Sequence, residues 1–187
     1  MAEKIIDYKK PYYKGFFGQH PTEKLIIENV RQGPVLDVGC GLGRLLFVLK
    51  DKFEVEGFDP SKYAIRIAKK KGINVKVSTI KTFNPRRKYK TILMTGVIAH
   101  IYNLKKDFKK VISWLDDDGE IILTIPNASS PFIKRHETHI YFPKFFEFRK
   151  FIKENNLKIK KCVGAGRLKY LPYLAQHTFY ILKKKKD

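Results

Sequence analysis

The sequence predicts a doubly wound α/β domain, and three observations carry that reading. Strand-like and helix-like patterns alternate along most of the chain. The run from Glu120 to Ile125 is almost continuously apolar, as a strand covered on both faces must be. A short apolar strand, Val35-Leu36-Asp37-Val38, passes directly into a glycine-rich turn. A length of 187 residues fits one domain with a substantial core. The expected division is an aromatic and basic arm over 1–21, a ligand-binding half over 22–127, a lid-like insert over 128–142 and a substrate-side half over 143–187.

The elements follow in order. TEKLIIENVRQ (22–32) opens on Thr22 as an N-cap and carries Leu25, Ile26 and Val30 on one stripe. Gly33-Pro34 stops it. After the Val35 to Val38 strand, Leu42 to Lys50 is helical in pattern, with Leu45, Leu46 and Leu49 inward. FEVEGFD (53–59) alternates as a strand does. Pro60 to Lys71 then reads as a helix with Pro at its first position. INVKVS (73–78) and Lys90 to Met94 are strand-like. Leu104, Phe108, Val111, Ile112 and Leu115 recur at helical spacing. Asp117-Asp118-Gly119 reads as a turn into the apolar strand. A helix over Lys144 to Asn155 precedes two strands, Leu157 to Val163 and His177 to Lys183. No helical pattern separates those two, so they should pair antiparallel.

Composition narrows the function classes. Hydrophobic residues are 43% and charged residues 30%, a globular balance. No apolar run reaches the ~18 residues a membrane span requires, and the N-terminus does not read as a secretory signal. Two cysteines, Cys40 and Cys162, make no disulfide framework, so a reduced, cytoplasmic setting is expected. The net charge of +21 attracts anions such as RNA, phosphorylated substrates or an acidic membrane surface. The excess is nearly all Lys, 31 against 8 Arg, whereas Arg is the better bidentate phosphate ligand. Solvated helix faces and a polyanion footprint therefore both remain open.

The most informative stretch is Val35 to Arg44, VLDVGCGLGR. A strand ends in an acid, and glycines let the following turn bring backbone amides against a ligand before a helix starts. The spacing is not the dinucleotide G-x-G-x-x-G, because Arg44 stands where the third glycine would be, and no G-K-[ST] P-loop occurs. The D-x-G-x-G-x-G form resembles the first motif of the class I S-adenosylmethionine-dependent methyltransferases. Val55-Glu56-Gly57-Phe58-Asp59-Pro60-Ser61 looks like their second-strand motif, and Tyr89 to Ile101 like their fourth strand and following loop. Asp117-Asp118-Gly119 to Asn127 looks like the fifth strand, and His139 with Phe142 to Phe151 resembles a segment of quinone-type small-molecule O-methyltransferases.

The resemblance implies a Rossmann-like, seven-stranded, mostly parallel sheet with an antiparallel last strand and helices on both faces. It implies S-adenosyl-L-methionine as cofactor, held by Asp37, Gly39, Cys40, Gly41 and Gly43 of the turn. Asp59, Pro60 and Ser61 would serve at the ribose, and Thr79, Ile80, Thr95 and Gly96 at the rest of the cofactor. Asp59 could equally cap the helix after it, and the two roles are compatible. Two departures stand out. Ser78-Thr79-Ile80-Lys81 holds no acid for the adenine amino group, and Lys90 replaces the usual Asp before the fourth strand.

Methyl transfer from a sulfonium is an in-line displacement that needs alignment more than a protein nucleophile, so Cys40 reads as a packing residue. A general base matters where the acceptor must lose a proton. His20, His100, His136 and His139 are the candidates, His20, His100 and His139 foremost, each with a packing or surface role as the alternative. Their pKa values are tunable near neutrality. No metal site is indicated. A small-molecule acceptor is the favoured partner, because the insert and arm are short and the Asn/Asp-Pro-Pro-Tyr/Phe signature of base amino methylation is absent. RNA or an acidic, phosphorylated acceptor is the runner-up, and a cofactor-fold protein without turnover is the third reading.

Overall fold

The computed structural model describes residues 21–185, so the N-terminal arm and His20 lie outside the described residues. One seven-stranded sheet has the order β3-β2-β1-β4-β5-β7-β6. Its strands are β1 (Val35–Val38), β2 (Val55–Asp59), β3 (Val75–Val77), β4 (Tyr89–Thr95), β5 (Leu115–Pro126), β6 (Leu157–Gly164) and β7 (His177–Lys184). The first five run parallel. β7 runs antiparallel to both β5 and β6, with Glu120 opposite Lys183 and Pro126 opposite His177.

Alternate residues of the central strands feed opposite faces, as the pleat requires. Ile92 and Met94 of β4 join one core, together with Leu104, Phe108 and Val111 of α4 (Leu104–Trp114) and Phe145, Phe148 and Ile152 of α5 (Phe145–Glu154). Leu93, between them, joins the other. There it packs with Ile26 of α1 (Pro21–Ile27) and with Leu45 and Leu49 of α2 (Arg44–Leu49). On the α2 side of the sheet edge, α3 (Lys62–Lys70) buries Ile65 and Ala68 against Leu46 and Val75. Helices on both faces explain why β5 is buried without a break from Ile121 to Pro126.

Several boundaries differ from the sequence expectation. Thr22 lies inside α1 and not at its cap. Pro60 precedes α3, which starts at Lys62. Ser61 is its N-cap and accepts a hydrogen bond from the Ala64 amide at 3.2 Å. Ser supplies the side-chain acceptor that Pro lacks.

The Asp117-Asp118-Gly119 turn is instead an interruption within β5, where Leu115 pairs with Tyr89 and Glu120 with Thr91. The intervening residues loop out opposite Lys90, whose ammonium bonds Asp116 at 3.1 Å and also bonds Asp118. This pairing explains the Lys at the start of β4: it answers the carboxylates that the bulge places beside it.

Gly57 of β2 lets the sheet approach the glycine-rich turn. A Cβ there would stand 2.6 Å from Leu46 Cδ1 and 3.0 Å from Cys40 Cβ. Gly57→Ala should therefore cost about 1–3 kcal/mol through overpacking, read as a lower urea midpoint at unchanged slope. An unchanged midpoint would show that the turn has room to withdraw.

Candidate active site

The strand order reverses between β1 and β4: β2 and β3 build outward from β1, while β5 builds outward from β4. A crevice at the carboxyl ends of strands is expected at such a switch point. The elements that open there are the 39–43 turn, the Asp59–Ser61 turn and the 95–100 segment.

The first turn is set by backbone conformation. Gly39, Gly41 and Gly43 have φ of 70°, 51° and 72°, a region costly for residues with a Cβ. At Gly39 a Cβ would also lie 2.5 Å from Val97 Cγ2, so the loops after β1 and β4 touch only because Gly39 has none. The amides of Gly39 and Cys40 both donate to the Phe58 carbonyl, at 2.8 and 3.0 Å, and fold the turn back over β2.

Asp59, buried at the end of β2, joins this turn to the next. Its Oδ2 accepts from the Gly41 amide at 3.0 Å and its Oδ1 from the Ser61 amide at 2.8 Å. The capping role weighed for Asp59 is thus divided: Asp59 holds the two turns, and Ser61 caps α3. Asp37, at the end of β1, is buried beside it. Burial, and secondarily the Asp59 charge, push the Asp37 carboxyl up to about 8. Cys40 is a buried free thiol held protonated by burial first and by the same two acids next, which suits a packing residue.

On the β4 side, the Thr95 hydroxyl oxygen is buried without a hydrogen-bond partner. The Gly96 amide donates to Thr124 Oγ1 at 3.2 Å, and a Cβ on Gly96 would meet nothing within 4 Å. Next to β3, the Ser78 amide donates to the Asp59 carbonyl at 3.1 Å, which brings the 78–82 turn to the same end of the sheet. Thr79 is occupied within that turn by Thr82, while Ile80 is buried against the α4-side core.

His100 ends a short 3-10 turn (Ile98–His100) and its Nδ1 lies 3.0 Å from the Thr138 carbonyl. A carbonyl only accepts, so Nδ1 carries the proton in the neutral ring and Nε2 is the basic nitrogen. Burial lowers the His100 pKa and favours that neutral ring. His139 lies edge-on to it, with centroids 5.5 Å apart, and has a buried Nδ1 with no partner. Burial, with the neighbouring His100 next, holds the His139 pKa down at about 4. His136 completes the group, 5.8 Å from His139 between centroids. Sequence spacing gave no sign of this grouping. It arises because Ile140 and Tyr141 donate their amides to the Ala99 carbonyl, at 2.7 and 3.0 Å. Among the described residues no cluster could hold a metal ion.

Against known proteins, the profile of the family described as a methyltransferase domain matches residues 17–159, well over half of the chain. The chain belongs to the methyltransferase-domain family. A relative from Papaver bracteatum, named as a probable (S)-tetrahydroprotoberberine N-methyltransferase, is 28% identical over 123 residues, 60% of this chain and 31% of its own length. Phosphoethanolamine N-methyltransferase 1 of Arabidopsis thaliana is 29% identical over 64% of this chain and 27% of its own. The methyltransferase domain thus spans under a third of these plant enzymes. An uncharacterized Methanocaldococcus jannaschii protein matches 99% of this chain and 71% of its own at 28% identity. Among solved structures, an S-adenosylmethionine-dependent methyltransferase from Clostridium acetobutylicum superposes with a TM-score of 0.75 at 20% identity, covering 94% of this chain and 97% of that one. The methyltransferase domain therefore has the Rossmann-like fold of the S-adenosylmethionine-dependent enzymes.

The carboxyl end of the sheet suits a cationic ligand that carries hydroxyl groups. Two buried carboxyls, an orphaned Thr95 hydroxyl and the open side of Gly96 lie at that end. S-adenosylmethionine, with a sulfonium, an ammonium and a ribose diol, meets that description.

The raised Asp37 pKa also has a consequence for stability. The folded chain keeps a proton on Asp37 that the unfolded chain loses near pH 4, so this contribution is present below about pH 4 and is lost as pH rises to about 8. Asp37→Asn, neutral throughout, should gain melting temperature relative to the parent between pH 5 and pH 8. A difference that stays constant over that range would mean that Asp37 ionises freely when folded.

Proposed function

We propose that this protein catalyses in-line methyl transfer from S-adenosyl-L-methionine to an oxygen or nitrogen atom of a small-molecule acceptor. The observation that carries the reading is the pair of buried carboxyls, Asp37 and Asp59, at the glycine-rich turn where the strand order reverses. Each Asp59 oxygen holds a backbone amide, and as an acceptor-only carboxylate at the end of β2 Asp59 is the group that would receive sugar hydroxyls. Asp37 lies where a cation would restore its charge, so ligand uptake at neutral pH should be accompanied by proton release from this group. The curated relatives named for N-methylation support an amine among the acceptors. The family match supports turnover over the cofactor-fold protein without turnover.

The cofactor supplies a methyl group already activated on sulfur, so the chain's task is alignment and exclusion of water. The 39–43 turn, Asp59 with the Pro60-Ser61 turn, Thr79, Ile80, Thr95 and Gly96 would hold and orient it. His100 is the best base among the described candidates. With Nδ1 bonded to the Thr138 carbonyl, Nε2 is the ring nitrogen that would take a proton from an acceptor hydroxyl or ammonium. His139, already neutral far below neutrality, fits a role in shaping the pocket beside His100.

Titration calorimetry should show S-adenosylmethionine binding and no NAD binding. Asp59→Ala should weaken it by ten- to a hundredfold, about 1.5–3 kcal/mol, because sugar hydroxyls lose a charged acceptor. Unchanged affinity in a folded Asp59→Ala protein would remove Asp59 from the site. A labelled-methyl screen over small amines and phenols, run beside total RNA, tests the acceptor class; transfer to RNA alone would make the runner-up correct. With an acceptor in hand, kcat should fall on the acid side of neutrality as His100 protonates. His100→Gln should be slow and lack that limb. The double substitution Cys40→Ala, Cys162→Ala should keep most turnover, and its complete loss with normal cofactor binding would point to a covalent route.

A further inference from the structure

Nine large hydrophobic side chains are exposed among the described residues, and five of them fall on two segments: Phe132, Phe146, Tyr170, Leu171 and Tyr173. Tyr170 is 85% exposed and Phe146 73%, values that place whole rings in water. The segments that carry them are laced into one surface. Asn127 donates through Nδ2 to the carbonyls of Tyr173 and Ala175, at 2.9 and 3.0 Å. Ser130 Oγ donates to the Leu174 carbonyl at 2.7 Å, and the Phe145 amide donates to Ser129 Oγ at 3.0 Å. These residues follow β5 and precede β7, so they rim the same end of the sheet at which β1, β2 and β4 open. The backbone is fixed while its apolar side chains point outward, which is not how loops that merely connect elements are filled.

The charge of the rim is equally one-sided. Lys134, Arg135, Lys144, Arg167 and Lys169 stand on residues 127–146 and 165–176, against one acid, Glu137. All five of these cations are exposed, and the Lys169 ammonium lies 5.6 Å from the Tyr170 ring centroid. Exposed Phe and Leu among Lys and Arg form the pattern of a surface that inserts its apolar tips below lipid headgroups while cations meet the headgroup charge. Tyr suits the boundary itself, with an apolar ring and a polar tip.

A single-stranded nucleic acid would use stacked rings and Arg forks along a groove. Leu171 offers no ring to stack on, and most of the rim's cations are Lys.

We propose that this rim docks the protein on an anionic lipid surface, with the mouth of the crevice turned toward the bilayer. The docking stands on the exposed side chains and the charge. Only the orientation of a catalytic mouth rests on the methyltransferase reading. An amphiphilic acceptor could then reach the crevice without crossing water.

The test is co-sedimentation of the full chain with phosphatidylcholine vesicles, with and without roughly 30% phosphatidylserine. Partition should be at least about tenfold greater on the anionic vesicles and should weaken as salt is raised. Phe146→Ser with Tyr170→Ser should lower it about tenfold. Arg167→Glu with Lys169→Glu should do the same without touching the apolar tips. Circular dichroism and S-adenosylmethionine affinity should stay as in the parent for both variants, so loss of docking is distinguished from loss of the fold or of the cofactor site. Equal partition on neutral and anionic vesicles, no partition at all, or partition indifferent to the ring substitutions would overturn the proposal. Single-stranded RNA binding that is lost in the ring variant, with vesicles ignored by the parent, would assign the rim to nucleic acid instead.

Discussion

Two hydrogen bonds to one carboxylate set the geometry on which the rest of the site depends. Asp59 receives the Gly41 amide on one oxygen and the Ser61 amide on the other. The first tie holds the glycine-rich turn at the end of β1, and the second holds the entrance to α3 at the end of β2. Because the side chain is buried, these charge-assisted bonds stand in a medium that strengthens them. They act together with the Gly39 and Cys40 amides on the Phe58 carbonyl, which fold the first turn over β2. A third tie, the Ser78 amide on the Asp59 carbonyl, brings the turn after β3 into the same frame.

The arrangement sets two buried acids against each other. Asp37 is buried next to Asp59, and the protein answers by keeping Asp37 protonated at neutral pH. Few structures bury two acids side by side without a use for them, since each raises the cost of charging the other. A cation at the mouth resolves this conflict, and the family's cofactor brings two. Stability and ligand affinity are therefore opposed at one residue.

Much of this was legible in the sequence. The glycine turn could be recognised because its dihedrals demand glycine, and the alternating strands because β4 and β5 must be apolar on both faces. Element edges were less legible where a polar side chain competes for the backbone. Ser61 takes the cap that was weighed for Asp59, and the expected turn into the apolar strand is a bulge within β5 where Asp116 and Asp118 meet Lys90. Those depend on which residues meet across the sheet, and no local pattern encodes that. The grouping of His100, His136 and His139 was hidden for the same reason, since it needs the chain to cross back onto Ala99. The aromatic rim was hidden differently: Phe132, Phe146 and Tyr170 resemble core aromatics in composition, and only the fold shows that they face outward.

The central claim is that the crevice formed by the 39–43 turn, Asp59 to Ser61 and the end of β4 is the cofactor site. Amide hydrogen exchange with and without S-adenosylhomocysteine tests it most directly. The account predicts slowed exchange at 39–44, 59–62 and 95–98, with residues 29–34 and 183–185 at the opposite end of the sheet unchanged. Protection confined to that opposite end, or none at a saturating concentration of the ligand, would contradict it.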